Sequence, residues 1–276
     1  VELPGPRLPH DMAFTKNYVI VPDLPLFWDP EALKLGVHAV RFHRDMPSRF
    51  GILPRAGSPD AIKWFEADPT YVLHWANAYE DGDEIVLDGY FQEHPEPKNN
   101  PDAEPGYERM MAYLDQELLG ARLHRWRFNL KTGATTEQRL DDRTLEFPVI
   151  NQSYAGKPYR YVYSTVPEPG WFLFNGLIKH DLETGNSSSL AFEEGCYVSE
   201  PGFAPRIGSQ VEDDGYLVTF VSDMNKDQSE CVIVDAQDME AGPVARIILP
   251  HRICSGVHAT WANGKYIREA EVRRSA

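Results

Sequence analysis

The sequence predicts an all-β chain, and three observations carry that prediction. Short runs of Val, Ile, Tyr, Phe and Thr are bounded by Gly, Asp, Asn and Pro, the punctuation of strands and turns. Asp-Gly steps at Asp81-Gly82 and Asp214-Gly215 mark hairpins, because glycine supplies the positive φ that tight hairpin turns need. A turn motif also recurs. Arg127-Phe128-Asn129-Leu130-Lys131-Thr132-Gly133 is echoed by Lys179-His180-Asp181-Leu182-Glu183-Thr184-Gly185, and more loosely by Ile233-Val234-Asp235-Ala236-Gln237-Asp238-Met239. Asn129, Asp181 and Asp235 are spaced by 52 and 54 residues. A period near 50 in an all-β chain is the mark of β-propeller blades, each a four-stranded antiparallel sheet. An ordinary β-sandwich is the other arrangement such strands could take.

Taken in order, Tyr18-Val19-Ile20-Val21 is the first strong strand. Residues 71–79 and 84–91 pair across the turn Glu80-Asp81-Gly82-Asp83. A Pro-rich polar stretch over 93–106 reads as a surface excursion between sheets. A short helical insertion over 108–119 follows, where Met110, Met111, Leu114 and Leu118 recur at helical spacing. Asp213-Asp214-Gly215 opens another hairpin strand, Tyr216-Leu217-Val218-Thr219-Phe220-Val221. The tail over 265–276, with Arg268, Arg273 and Arg274, reads as a frayed surface end.

Composition narrows the function classes. The 276 residues include 42 acidic and 27 basic side chains, a net charge of −15. That balance argues against nucleic acid as a partner, since a phosphate backbone wants a basic surface. The longest run without a charged residue, 253–264, is too short for the roughly 20 residues of a spanning helix. Peripheral contact with a membrane stays compatible with the sequence. Cys196, Cys231 and Cys254 are odd in number and widely spaced, which fits a reducing compartment, and a cytoplasmic location is the expectation.

Among nine histidines, three differ from the rest in setting. His74 lies in Val72-Leu73-His74-Trp75-Ala76-Asn77-Ala78, a predicted strand whose alternation puts it on one face with Val72, Ala76 and Ala78. His258 lies in the strand-like, nearly uncharged Gly256-Val257-His258-Ala259-Thr260-Trp261, and His10 precedes the first strong strand. The other six stand beside charges, Pro or turn residues. Glu146 and Glu200 are embedded in apolar segments, where a carboxylate is costly unless paired. An imidazole N–H is the natural partner, because a metal-bound histidine usually donates its other ring N–H to a carboxylate behind it. His10, His74, Glu146, Glu200 and His258 are separated by 64, 72, 54 and 58 residues, about one blade each. If each blade sends its innermost strand to a common axis, the five converge there, and the imidazoles suit iron, zinc, copper or nickel. Packing inside a non-catalytic propeller used as an interaction platform is the competing reading. A cupin-type site would want a closely spaced HxH pair, and the chain has none.

At these residues the chain resembles the carotenoid cleavage oxygenase family, which includes stilbene-cleaving dioxygenases. The resemblance rests on His10-Asp11-Met12-Ala13-Phe14-Thr15-Lys16-Asn17-Tyr18, Leu73-His74-Trp75-Ala76-Asn77-Ala78-Tyr79-Glu80, Glu146-Phe147-Pro148-Val149-Ile150-Asn151, Ser199-Glu200-Pro201-Gly202-Phe203 and His258-Ala259-Thr260-Trp261. These stand in the family's order from residue 8 to about 264. The resemblance implies a seven-bladed propeller under a helical dome, with Fe(II) on its axis held by four histidines and with glutamates behind three. It implies O₂-dependent cleavage of a conjugated carbon–carbon double bond in an apolar substrate, such as a carotenoid, apocarotenoid or stilbene, to two carbonyl products. His10, His74 and His258 match three of the four iron ligands, and Glu146 and Glu200 match two of the glutamates, behind His74 and His258 respectively. The remaining histidine and glutamate belong upstream of His10. His38 and His43 match no ligand motif. Residues 1–276 are therefore expected to form one propeller domain with an incomplete set of blades, the C-terminal part of such an oxygenase. Its raw sheet edges are expected to favour association with a complementary chain.

Overall fold

A computed structural model describes residues 3, 5–36, 39–96, 114–254 and 256–274 of the chain. The described residues are dominated by antiparallel strands that build four sheets in chain order. In the first sheet β1 (Ala13–Phe14) pairs with β2 (Tyr18–Asp23), and a small two-stranded excursion of β3 (Leu26–Trp28) and β4 (Val40–Phe42) follows. The chain then returns as β5 (Ser48–Pro54) and β6 (Lys63–Ala67) to complete that sheet. The second sheet is β7 (Trp75–Asp81), β8 (Glu84–Gln92), β9 (Ala121–Asn129) and β10 (Thr135–Thr144). The third is β11 (Glu146–Val149), β12 (Tyr161–Pro167), β13 (Phe174–Asp181) and β14 (Ser187–Ala191). The fourth runs from β15 (Cys196–Val198) through β17 (Gly215–Asp223) and β18 (Gln228–Asp235) to β19 (Pro243–Ile248), with β16 (Gly202–Pro205) also on β17.

Each sheet meets the next through its own apolar layer. Ile20, Phe50 and Ile52 of the first sheet pack with Ile85, Leu87, Trp126 and Phe128 of the second. Val86, Tyr90 and Leu123 face the other way, onto Val162 and Ile178 of the third. Tyr163 and Leu177 then meet Leu217, Val232 and Val234 of the fourth. The middle strands are thus buried on both faces, which is why Ile85-Val86-Leu87 reads as an unbroken apolar run rather than an alternating one. The outermost strands, by contrast, alternate or face water, as Ser187–Ala191 does.

The recurring turn motif has a shared physical basis. Asn129, Asp181 and Asp235 each end the third strand of a sheet and turn the chain by accepting backbone N–H groups two or three residues on. Asn129 Oδ1 accepts from Lys131 and Thr132 at 3.0 and 2.9 Å, Asp181 Oδ1 from Glu183 at 3.1 Å, and Asp235 Oδ1 from Gln237 at 2.9 Å. These are side-chain mimics of a backbone turn.

Several local expectations are corrected. His74 is outside the strand that was predicted to contain it, because β7 begins at Trp75 and its register shifts between Trp75 and Asn77. The even alternation is lost with it: Val72 and Ala78 join the layer between the first two sheets, whereas Ala76 joins the next layer. The Trp75 ring sits at this irregularity. It lies over Gly89, where a Cβ would come within 2.5 Å of Cε3. His258 is in no strand, and its side chain is 56% exposed. Gly215 is not a hairpin turn residue but the first residue of β17, and what it supplies is room, since a Cβ there would stand 2.6 Å from the Ala204 carbonyl oxygen. Residues 264–274 form a helix rather than a frayed end. Of the predicted helix over 108–119, only Gln116–Leu119 is helical among the described residues, and 108–113 lie outside them. The same holds for His38 and for the 97–106 part of the Pro-rich stretch. Among the described residues no helix is long and apolar enough to cross a membrane.

Candidate metal centre

The singled-out residues stand at corresponding points of successive sheets. His10 lies three residues ahead of β1, His74 immediately ahead of β7, Glu146 opens β11, and Glu200 follows β15 by two residues. Each is therefore tied to the leading strand of its sheet, and one sheet of chain separates it from the next. His258 comes from the irregular segment ten residues beyond β19.

The three imidazoles are brought together around His74. The His10 ring stands edge-on to it at 5.0 Å and 82°, and the His258 ring at 5.0 Å and 83°. Phe147 stacks on the same ring at 4.9 Å and 29°. Every one of the three histidines is held through Nδ1. His10 Nδ1 donates to the Leu73 carbonyl at 2.9 Å, His74 Nδ1 to Glu146 Oε2 at 2.6 Å, and His258 Nδ1 to Glu200 Oε2 at 3.1 Å. A carbonyl or carboxylate oxygen only accepts, so each ring carries a proton on Nδ1 and, when neutral, presents an Nε2 lone pair. His43, His94, His124 and His180 are engaged elsewhere, with Phe27, Arg44, Glu137 and Asp141 respectively.

The two glutamates are anchored as well as paired. Glu146 is 1% exposed and its Oε2 also accepts from the Phe147 backbone N–H. Glu200 Oε2 accepts from the Ala259 N–H at 2.6 Å, which fixes the His258 segment to the end of β15. Burial drives the His74 pKa down, but the adjoining Glu146 carboxylate outweighs it, with smaller help from Glu200 and Asp11, and the net shift is upward. Burial raises the Glu200 pKa against the opposing pull of the Ala259 N–H and His258.

Two atoms at the centre have no partner. His74 Nε2 and Glu146 Oε1 are both buried without a hydrogen bond. An unpaired buried nitrogen lone pair is costly unless something binds it. Neutral imidazole nitrogens are suitable donors for a first-row transition metal such as iron, so the donor set fits one. As the side chains stand, no group of three or more His, Cys, Asp or Glu among the described residues could hold a metal ion.

The three histidines border two spaces. One is a cavity of about 240 Å³, walled by Leu8, Leu26, Leu73, Phe147, Phe172 and Val257 among others. Also bordered by them is a more polar recess of about 280 Å³, where Asp11, Pro148 and Glu200 join the same three histidines.

Sequence reasoning missed three contributors. The Leu73 carbonyl does for His10 what a glutamate does for the other two rings, and no sequence signal marks a carbonyl. Asp11 accepts from the Trp75 N–H at 3.1 Å and so ties the His10 segment to β7, a role its place beside His10 could have suggested. Phe147 has φ 51°, a left-handed conformation that is strained for a bulky residue. That turn lets the residue following Glu146 lay its ring on His74 and its N–H on the carboxylate.

Comparison with known proteins defines the class. Residues 1–263 match the family model described as retinal pigment epithelial membrane protein. The chain belongs to this family, which is that of the carotenoid cleavage oxygenases. It is 37% identical over 286 residues to the carotenoid 9,10(9',10')-cleavage dioxygenase of Crocus sativus, covering 97% of this chain and 50% of that protein. It is 32% identical over 259 residues to the apocarotenoid-15,15'-oxygenase of a Synechocystis species, with 92% and 50% covered. Isoeugenol monooxygenase of Pseudomonas nitroreducens is 31% identical over 273 residues, with 94% and 55% covered. A cobalt-substituted crystal structure of the Synechocystis enzyme ACO superimposes with a TM-score of 0.81 at 30% identity, over 92% of this chain and 52% of that one. The chain thus spans about half the length of the curated relatives it matches.

Proposed function

We propose that the chain forms part of an Fe(II)-dependent dioxygenase that cleaves a conjugated carbon–carbon double bond of an apolar substrate with O₂, giving two carbonyl products. The observation that carries this reading is the shared orientation of His10, His74 and His258, each held through Nδ1 so that Nε2 is free, with His74 Nε2 buried and unpaired. Such rings, fixed by Glu146, Glu200 and the Leu73 carbonyl, would hold iron beside the apolar cavity and the polar recess. Bound there, Fe(II) supplies the activation of O₂ that a spin-paired alkene lacks on its own. That a relative accepts cobalt in place of its metal supports an imidazole-bound first-row ion.

The chain's own residues would do the rest. Glu146 and Glu200 keep their histidines in one tautomer and one orientation, which also raises ligand basicity. Phe147 and Phe172 wall the cavity with flat apolar surface, suited to a planar conjugated chain and to the exclusion of water. One oxygen atom ends on each carbon of the broken double bond, so a single O₂ balances the reaction. The four described sheets are read as consecutive blades of a propeller whose leading strands face the axis.

A non-catalytic platform would leave His74 Nε2 buried and unpaired for no return, which weighs against it. Turnover decides between the two. With Fe(II) and O₂ supplied, an apocarotenoid aldehyde or isoeugenol should be split into two carbonyl products detectable by mass spectrometry, and His74→Ala should abolish both. A folded protein that yields no product from either class would leave the scaffold reading standing.

A further inference from the structure

We infer that the apolar cavity contains a recognition site for a hydroxyl group, built by Gln92 and Gln116, so that the conjugated substrate is bound with an alcohol on its skeleton. This rests on the reading of the cavity as the substrate site and adds a polar requirement to it.

Both glutamines line the cavity, and each is only 1% exposed. Each also has a buried polar atom without a partner, Nε2 of Gln92 and Oε1 of Gln116. Away from the histidines, Glu146 and Tyr71 the cavity is walled mainly by leucine, valine and phenylalanine, and there two unsatisfied amide atoms are an expensive feature to retain. Packing alone would be served as well by Leu or Met.

Local structure explains how the two come to share one wall. Gln92 ends β8, where its register partner is Ala121, the first residue of β9. Immediately before Ala121 the chain makes the short helix Gln116–Leu119, closed by Gly120 in the left-handed conformation. The His94 N–H donates to the Leu119 carbonyl at 3.1 Å, fastening that helix to the continuation of β8. At the other end Asp115 caps the helix through the Glu117 N–H at 3.0 Å and also accepts from the Gly170 N–H at 3.1 Å. Gln116 is therefore held on a fastened turn, not on a loose loop.

The free atoms are complementary. Gln116 Nε2 already donates to the Leu114 carbonyl at 3.1 Å, which assigns its amide orientation and leaves Oε1 as the open acceptor. Among the described residues Gln92 makes no side-chain hydrogen bond, and with Nε2 turned inward its amide offers an open donor. A hydroxyl is the small group that accepts from one and donates to the other. An aldehyde or ketone oxygen can only accept, leaving Gln116 unsatisfied, and a hydrocarbon leaves both unsatisfied. The site therefore ranks alcohol over carbonyl over hydrocarbon, in the way a buried polar group discriminates against a ligand lacking its partner.

The test is a binding measurement that does not require turnover. Three polyenes of one chain length, an alcohol, its aldehyde and the parent hydrocarbon, are titrated without O₂ against the protein, and quenching of tryptophan fluorescence is followed. The alcohol should bind about tenfold more tightly than the hydrocarbon, as expected for hydrogen bonds that would otherwise be missing. Gln92→Met and Gln116→Met, which keep the volume, should each reduce that preference while leaving hydrocarbon affinity within about twofold. Gln92→Met should also leave the melting temperature unchanged or raised, whereas a glutamine kept for structure would lower it. Equal binding of alcohol and hydrocarbon, or variants that weaken all three ligands alike, overturns the hydroxyl site while the cavity reading survives. Failure of every polyene to bind overturns the cavity reading itself, and this inference with it.

Discussion

The Glu146 side chain carries more of the site than its own hydrogen bond suggests. One oxygen holds His74 Nδ1 and the Phe147 N–H, and the other is buried with no partner. Gln in its place keeps one acceptor oxygen for His74 Nδ1–H but removes the carboxylate charge that strengthens this hydrogen bond and raises the ligand basicity of the ring. Glu146→Gln should therefore lower iron affinity by about 10–100-fold, measured by anaerobic titration, while the protein remains folded. The pairing of embedded carboxylates with histidines was legible in the sequence because a buried charge demands a partner, and residue chemistry alone names the imidazole. The Phe147 conformation was not legible. Nothing in Glu146-Phe147-Pro148 announces a positive φ, and it arises only because the backbone must serve the carboxylate and the His74 ring at once.

At the level of elements, the site depends on where strands stop. His74 stands one residue ahead of β7, and the Trp75 ring that opens the strand fills the space over Gly89. A Cβ at Gly89 would meet Trp75 Cε3 at 2.5 Å and the His74 carbonyl oxygen at 3.3 Å. Gly89→Ala should destabilise the fold by about 1–3 kcal/mol in denaturant unfolding, the range for overpacking a filled site. It should also weaken metal binding, since the displaced tryptophan adjoins His74. Period-two reasoning placed His74 mid-strand and on one face with Ala76, and it failed here because a register shift resets the alternation. The turn repeat at Asn129, Asp181 and Asp235 succeeded for the opposite reason: Asx chemistry acts within three residues and owes nothing to distant packing.

Across the molecule, neighbouring sheets are joined by polar ties set beside their apolar layers. Glu80 accepts from Thr15 and Asn17 across the first pair of sheets, Asp88 from Arg125 and Tyr159 toward the second, and Asp213 from Lys179 across the third. His180 on β13 is a further tie, reaching Asp141 of β10 at 2.8 Å. Burial holds the His180 pKa below its usual value near 6.5, against the pull of Asp141, so the folded state keeps the ring neutral more readily than the unfolded chain does. Asp141, despite burial that opposes it, is depressed chiefly by Arg143 and also by His180. Both shifts have the same sign for stability, because the unfolded state binds more protons, but they act in different windows: the His180 contribution is lost as pH falls below about 6.5, and that of Asp141 only as pH falls through the carboxylate range. The raised His74 pKa acts in the opposite sense over the same range as His180, so the test is a difference: between about pH 7 and 5 the parent should lose more melting temperature, or gain less, than His180→Asn. A slope unchanged in the variant would remove His180 from the explanation. Sheet number and stacking order were only partly readable in advance, because they follow from which faces are doubly buried, and that is a property of the assembled layers. The imidazole cluster these sheets position is tested most directly by iron content. Protein loaded with Fe(II) without O₂ and then desalted should retain near-stoichiometric iron by elemental analysis, and His74→Ala or His258→Ala should lose it. Protein that stays metal-free and equally stable under the same loading would contradict the assignment of these histidines to a metal centre.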